Sequence, residues 1–159
     1  MLSTTPTRCP MSLSGVSSQL SSDGKIQLCK GETVIQSLLL KPAEKQHRSF
    51  ILSTWVKSYE GQARRQGIGP FYATHEPAVA ESRWQDCTVA TDDDGYTVYA
   101  WVCGDHTGAL WHCYVAPELR RLRIATRLIE HACGSLREYA RPWPYSAHAR
   151  VNPYLLRTK

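Results

Sequence analysis

The segment WHCYVAPELRRLRIATRLIEHACGSL, residues 111–136, carries the most informative pattern in the chain. Its first residues alternate between two faces, as in a strand, with His112 and Tyr114 on the same face and Val115 opposite them. From about Leu122 onward, apolar residues recur at helical spacing. These helical positions are Ile124, Leu128, Ile129, Cys133 and Leu136. The segment therefore predicts a strand, a basic turn and an amphipathic helix.

Other apolar and β-branched runs predict further strands on both sides of this segment. The complete set is Thr33–Leu40, Asp86–Thr91, Tyr96–Cys103, Ala109–Val115 and Tyr145–Val151. The pair Asp94-Gly95 is typical of a tight hairpin and would join the second strand to the third. The third strand would then carry Tyr96, Val98, Ala100 and Val102 on one face.

Two helices are predicted between the first and the second strand. Pro42 suits the first turn of a helix, because the N–H that proline lacks has no partner there. This helix would extend to about Glu60, and Gly61–Pro70 would interrupt it. Pro77 would open a short second helix that ends near Trp84.

The predicted order is strand, two helices, three strands, helix and strand. Strands joined by hairpins, followed by a helical crossover, indicate an α/β fold with a mixed central sheet and helices on both faces. The length of 159 residues fits a single domain, which we place at residues 25–159. Residues 1–24 contain seven Ser and three Thr and few bulky apolar side chains. We expect them to be mobile, because little apolar burial offsets the entropy lost on ordering.

The composition is that of a soluble globular protein, with 42% apolar and 21% charged residues. No apolar run approaches the roughly 18 residues of a membrane-spanning helix. The first residues lack the charged and apolar regions of a secretory signal. We therefore expect a cytoplasmic protein without membrane contact.

No metal site is predicted. The six cysteines are widely spaced and form no C-x-x-C pair, so we expect buried free thiols and neither disulfides nor zinc ligands. Asp92, Asp93 and Asp94 precede Gly95 in the expected hairpin. Such residues favour turns, and we assign them to turn chemistry and not to cation binding.

The net charge of +5 is concentrated towards the end of the chain. Residues 118–159 hold nine of the 19 Lys and Arg residues but three of the 14 Asp and Glu residues. Such a field suits a phosphate-bearing cofactor or a nucleic acid, and a solvated basic surface is the alternative. Nucleic acid is the least favoured of these, because a phosphate cofactor explains the arginines equally well.

The stretch WHCYVAPELRRLRIATRLIEHAC resembles the central motif of the GNAT acyltransferase superfamily. In that motif a strand leads to V-x-P-x-x, then to [QR]-x-x-G-x-[GA], and then to a helix. Val115 and Pro117 match the strand exit, Arg120 matches the first basic position, and Ile124 and Ala125 match the end. A helix N-terminus offers unpaired N–H groups and a positive dipole to an anion. The resemblance implies that this site holds the pyrophosphate of coenzyme A and that the preceding strand pairs with the pantetheine arm.

The resemblance also implies which residues bind acetyl-CoA. These are Tyr114, Val115, Arg120, Arg121, Arg123, Ile124, Ala125, Thr126 and Asn152. Arg123 stands where the family has its central Gly. Its side chain either obstructs the pyrophosphate or forks onto the phosphate oxygens, and both alternatives stay open. Arg64–Gly69, RRQGIG, matches the motif more literally but follows a predicted helix, so we assign it to a loop bordering the acceptor site.

The end of the chain resembles the second conserved region of the family. In RVNPYLL, Asn152 follows the last predicted strand, and Tyr154 is the candidate acid for the leaving thiolate. The chain ends soon afterwards, so we expect the closing hairpin of the fold to be missing. A partner or a second subunit could then complete the acceptor side.

Catalysis of acetyl transfer to an amine requires a base. No acidic residue lies between Ala109 and Ala116, so His112 is the candidate base of this strand. His148 on the last strand is a weaker candidate. His75 and Glu76 fall in the expected acceptor loop, where they could bind substrate or simply meet water.

The resemblance thus implies an acetyl-CoA-dependent N-acyltransferase whose acceptor is a small-molecule or protein amine. The alternative is a binding protein on a catalytically weakened scaffold. Such a protein would be similar to small phage-encoded GNAT-like proteins and would dock onto an enzyme in the host cytoplasm. A homodimer is compatible with both.

Overall fold

The computed structural model of the chain describes residues 14–65, 69–104 and 110–133, with side chains described there except at 58–65, 69–74, 110–111 and 133. Within these residues, six strands form one antiparallel sheet in which the spatial order follows the sequence. They are β1 (Val16–Leu20), β2 (Lys25–Lys30), β3 (Thr33–Pro42), β4 (Cys87–Thr91), β5 (Val98–Gly104) and β6 (Leu110–Val115). Helices α1 (Arg48–Arg65) and α2 (Gly69–Arg83) lie between β3 and β4, and α3 (Ile124–Cys133) follows β6.

Helices cover both faces of the sheet, as predicted, and each face has its own apolar core. On one face α3 contributes Ile124 and Leu128 to a cluster that includes Ala100 of β5. On the other face α1 contributes Trp55 to a cluster that includes Trp101 of β5. The α/β class is therefore confirmed. The predicted last strand, residues 145–151, lies outside the described residues, and so does the parallel pairing expected of it.

The N-terminal strands correct the expected start of the fold. We expected residues 1–24 to be mobile and the fold to begin near Lys25, but Val16–Leu20 form β1 and pair with β2. The turn between them is closed by Ser21 and contains Gly24 at a φ of 75°. Strand β1 is rich in polar residues and gains its order from the backbone pairing with β2. Residues 1–13 lie outside the described part of the chain.

The start of α1 also differs from the prediction. Pro42 does not open a helix; it ends β3, where it pairs with Thr88. A short 3₁₀ turn follows, and α1 begins at Arg48. The buried His47 fixes this point, because its Nε2 donates to the Gly95 carbonyl at 2.7 Å while its Nδ1 accepts from the Glu44 N–H at 3.0 Å. A contact with the distant β4–β5 hairpin therefore decides where the helix starts.

Two residues expected at helix boundaries lie inside helices. Gly61 is part of α1, which continues to Arg65, and Pro77 lies within α2 instead of opening it. The predicted interruption at 61–70 is therefore wrong for residues 61–65 and for residues 69–70, which begin α2. The two helices pack along each other on one face of the sheet. This packing offsets the hydrogen bond that Pro77 cannot make.

The hairpin at Asp94-Gly95 is present, but β5 begins at Val98 and leaves Tyr96 71% exposed. Asp92 Oδ1 accepts from the N–H groups of Tyr96 at 3.1 Å and Thr97 at 3.2 Å. A hydrogen bond with the Thr97 side chain is the main cause that holds the pKa of Asp92 below its usual range, and the backbone N–H groups lower it further. The geometry is that of turn chemistry, as we expected.

The predicted face of β5 is wrong at its first residue. Between Ala90 and Thr91 the pairing register shifts, so that Thr91 lies opposite Val98 while Ala90 lies opposite Ala100. Val98 therefore packs on the α1–α2 face, whereas Ala100 packs on the α3 face. An extra residue in a strand reverses the alternation beyond it, as in other β-bulges.

Among the described cysteines, those of β2, β4 and β5 are free thiols, as predicted. Cys29, Cys87 and Cys103 are buried, and Cys113 is half-buried. Cys87 lies directly across from Cys103 in the sheet. The hydrogen bond from Cys103 and burial together raise the pKa of the Cys87 thiol, which keeps it protonated.

Candidate active site

The basic loop between β6 and α3 is anchored by apolar side chains and presents its arginines outward. Leu119 and Leu122 are buried in the α3-face core. Arg120, Arg121 and Arg123 alternate with them in sequence and are exposed. The loop therefore combines a backbone held by buried side chains with an exposed cationic surface, as suits a phosphate group.

The backbone of this loop is left-handed at two arginines. Arg121 has a φ of 67° and Arg123 a φ of 59°, a region that side-chain-bearing residues seldom adopt. The sequence resemblance places the central Gly of the motif at Arg123. The loop therefore keeps the backbone shape that glycine favours although an arginine occupies the position.

Arg123 also marks the start of α3. Its carbonyl accepts from the Arg127 N–H at 3.0 Å, which is the first hydrogen bond of the helix. The N–H groups of Ile124, Ala125 and Thr126 consequently have no partner within the helix. They lie next to the two left-handed residues and form, with the positive end of the helix dipole, a site suited to an anion.

We expect Arg123→Gly to raise the free energy of unfolding by about 0.5–1 kcal/mol, because glycine adopts a positive φ without the cost that a Cβ imposes. The matched control is Arg120→Gly, since Arg120 has an extended backbone with φ −68° and ψ 156°. There glycine adds freedom to the unfolded chain and the substitution removes the hydrogen bond from Arg120 to the Val115 carbonyl, so stability should fall. Urea denaturation of both variants measures the difference. Equal losses would show that the positive φ at Arg123 is not costly.

The outer edge of β6 is covered by Arg120. The Ala116 N–H donates to the Tyr99 carbonyl of β5 at 2.8 Å, so the neighbouring Val115 carbonyl faces away from β5. Arg120 Nε donates to that carbonyl at 3.0 Å. Arg120 therefore occupies a hydrogen-bond acceptor on the outer edge of β6. The family resemblance places the pantetheine arm at this edge.

Arg127, one turn into α3, forms an ion pair with another residue of the same helix. Its Nη1 lies 3.0 Å from Glu130 Oε2, and both side chains are about one-third exposed or less, at 28% and 33%. The ion pair neutralises this arginine, so the positive field of the loop rests mainly on Arg120, Arg121 and Arg123.

His112 faces the α1–α2 side of the sheet and is 3% exposed. Its ring lies 5.2 Å from the Trp55 ring and 4.9 Å from the Trp101 ring. Tyr114 points to the same face, with its ring 5.8 Å from that of Phe50. The predicted shared face of His112 and Tyr114 is confirmed, and the histidine lies within an aromatic cluster.

Glu76 is placed differently from the expectation. It does not lie in a loop but on α2, and it is 7% exposed. Its Oε2 accepts from Trp55 Nε1 at 3.0 Å, so the carboxylate joins the aromatic cluster that contains His112. No local pattern marks Glu76, because only the pairing of α1 with α2 brings it to Trp55. His75, its neighbour, is exposed.

Several predicted positions lie outside the described residues. These are Asn152, Tyr154, His148 and Gly67. The alternative motif, Arg64–Gly69, joins the end of α1 to the start of α2 and does not follow a strand. The assignment of this motif to a loop is therefore wrong for Arg64, Arg65 and Gly69, which lie in the two helices, and residues 66–68 lie outside the described part of the chain.

The family comparison agrees with this geometry. The model of the acetyltransferase (GNAT) family matches residues 65–149, more than half of the 159-residue chain. The chain belongs to the GNAT acetyltransferase family. The matched range includes β6, the basic loop and α3, the segment that carries the sequence resemblance. Comparisons with curated proteins and with solved structures found no match.

Membership of the GNAT family supports a general acetyltransferase-type function, and the family generally uses acetyl-CoA. In the described part of the chain, no group of three or more His, Cys, Asp or Glu residues could hold a metal ion. Among the described helices, none has the length and apolar character needed to cross a membrane.

Proposed function

We propose that the protein is an acetyl-CoA-dependent N-acyltransferase acting on an amine acceptor. The observation that carries this proposal is the φ of 59° at Arg123, which retains the loop backbone at the family's glycine position. A side chain on a left-handed backbone can point away from a ligand held by the N–H groups. Arg123 is then compatible with a bound pyrophosphate.

The cofactor would be held by two kinds of group. The N–H groups of Ile124, Ala125 and Thr126 would bind the pyrophosphate oxygens, and Arg121 and Arg123 would add long-range attraction. Along β6, Tyr114 and Val115 would line the pantetheine arm. Arg120 donates a hydrogen bond to the Val115 carbonyl on the outer edge of β6. We therefore infer that the Arg120 side chain moves away when the pantetheine arm pairs with β6. Asn152 stays a prediction as a residue of the segment that contacts the pantetheine arm.

The acceptor chemistry would take place on the α1–α2 face. A neutral amine attacks the thioester carbonyl, the C–S bond breaks, and the thiolate of coenzyme A takes up a proton. His112 is our candidate for the proton that the amine loses. Because it is 3% exposed, we propose that the proton reaches it through an intervening group and not by direct contact with the amine. Tyr154 stays a prediction as the acid.

Ligand-dependent stability tests the proposal. We expect acetyl-CoA or coenzyme A to raise the melting temperature by about 3–10 °C at ten to a hundred times its Kd, because only the native state binds it. Acetyl transfer to a panel of primary amines then identifies the acceptor class. Absence of any shift at millimolar ligand, in both the wild type and Arg123→Gly, contradicts the proposal.

The same titration separates the two alternatives for Arg123. Binding by both proteins means that the arginine is compatible with the cofactor. Binding only by Arg123→Gly means that the arginine side chain closes the site, which would favour the binding-protein alternative. A host partner, a homodimer and a cytoplasmic location stay predictions.

A further inference from the structure

The β1–β2 hairpin lies before the family match at residues 65–149, yet it contacts the helix of the proposed cofactor site. Ser18 Oγ on β1 donates a hydrogen bond to the Leu122 carbonyl of the basic loop. At the other end of the hairpin, a Cβ built on Gly24 would lie 3.5 Å from His131 of α3. The hairpin therefore touches both the loop and the helix that follows it.

The bonded carbonyl belongs to the peptide between the two left-handed arginines. Leu122 follows Arg121, and its C=O shares one planar peptide with the N–H of Arg123. In a trans peptide the C=O and the N–H point in opposite directions. When Ser18 holds the Leu122 oxygen towards β1, the Arg123 N–H is held pointing away from β1.

This orientation matters for an anion site. A carbonyl oxygen directed into the site would repel a phosphate, whereas an N–H directed into it would donate to the phosphate. A loop with two positive φ values is also costly to hold in one conformation. A hydrogen bond from outside the loop can stabilise that conformation.

We propose that Ser18 is a positioning residue that fixes the Leu122–Arg123 peptide for pyrophosphate binding. This inference rests on the proposed function of the loop. Ser18 does not touch the cofactor itself; it acts through the backbone. The hairpin would thus be a support for the cofactor loop contributed by a part of the chain that precedes the family match.

The test compares Ser18→Ala with Ser18→Thr and Ser17→Ala. Ser17 is the matched control, because it is the neighbouring serine on the opposite, exposed face of β1. Two quantities are measured: the amide hydrogen exchange of the Arg120–Thr126 region without ligand, and the Kd of coenzyme A by calorimetry. We expect Ser18→Ala to speed exchange in this region and to raise the Kd about fivefold, the size associated with one hydrogen bond.

The conservative variant and the control decide the interpretation. Ser18→Thr keeps the hydroxyl and should restore both quantities, and Ser17→Ala should match the wild type. Wild-type values for Ser18→Ala, or an equal effect of Ser17→Ala, would overturn the inference. If the wild type binds no coenzyme A, the proposed function fails. The exchange measurement still decides whether Ser18 holds the loop.

Discussion

Ala125→Glu is expected to weaken coenzyme A binding about a hundredfold while the ligand-free protein stays about as stable as the wild type. Ala125 is the second residue of α3, next to the left-handed Arg123. A carboxylate near a helix N-terminus is favourable by about 0.3–1 kcal/mol, because it complements the dipole. The same carboxylate would lie next to the proposed pyrophosphate position and would repel the phosphate groups.

The expected loss of affinity is large. Two like charges about 4 Å apart repel by about 4 kcal/mol at the effective dielectric of a protein surface. Screening and side-chain movement reduce this, so a rise in the Kd on the order of a hundredfold is expected. Calorimetry with coenzyme A measures the Kd, and thermal melting of the ligand-free protein measures stability.

Two controls isolate the charge. The glutamine in Ala125→Gln has nearly the size of glutamate but no negative charge, so this variant should keep most of the wild-type affinity for coenzyme A. Val34→Glu makes the same change in net charge at a 45% exposed position on β3 and should bind as the wild type does. Equal binding by Ala125→Glu and Ala125→Gln would show that the phosphate groups bind elsewhere.

Trp101→Ala is expected to lower the free energy of unfolding by about 3–5 kcal/mol, as for other fully buried large aromatic residues. Trp101 is 0% exposed. Its ring stacks on Trp55 at 5.2 Å, and its Nε1 donates to Thr54 Oγ1 at 2.8 Å. The substitution leaves a cavity in the core on the α1–α2 face. It also removes the N–H group that donates to Thr54 Oγ1.

Guanidinium denaturation measures this loss against two comparisons. Trp101→Phe keeps an aromatic ring but not the N–H donor, and it should cost less than the alanine variant. Tyr96→Ala removes an aromatic side chain that is 71% exposed and should change stability by about 0.5 kcal/mol or less. A similar loss for Trp101→Ala and Tyr96→Ala would mean that the stack does not hold the core together.

The cluster around Trp101 also ties stability to the proposed chemistry. The ring contacts His112, the candidate base, and Tyr114 lies 6.3 Å away in a stacked orientation. Removal of the indole should therefore impair acetyl transfer beyond the effect of lower stability. Assay well below the melting temperature of the variant separates the two effects.

Local patterns predicted the part of the chain that carries the family motif. The alternation of His112 and Tyr114, the amphipathic helix containing Leu128, and the Asp94-Gly95 hairpin are all present in the structure. Each depends on residues a few positions apart, whose relative directions are set by the geometry of one strand, one helix or one turn. Helix α3 begins at Ile124, two residues later than expected.

Contacts between distant segments decided the rest. The sequence of β1 is polar, and only its pairing with β2 makes it a strand. The start of α1 depends on His47 reaching Gly95, and the burial of Glu76 depends on Trp55. The last two pairs are 48 and 21 residues apart, so no local periodicity could indicate them, whereas the β1–β2 hairpin is local but its polar sequence lacks the alternation of a strand.

The sequence by itself determined the strand, basic turn and helix between residues 110 and 133, because periodicity and turn chemistry are local. Only the tertiary structure decided that Arg123 keeps a glycine-like φ of 59° and that β1 reaches the carbonyl of Leu122. A residue that is held at a φ value it seldom adopts needs support from the structure packed around it. In this chain the buried leucines and the β1–β2 hairpin lie where they can give that support.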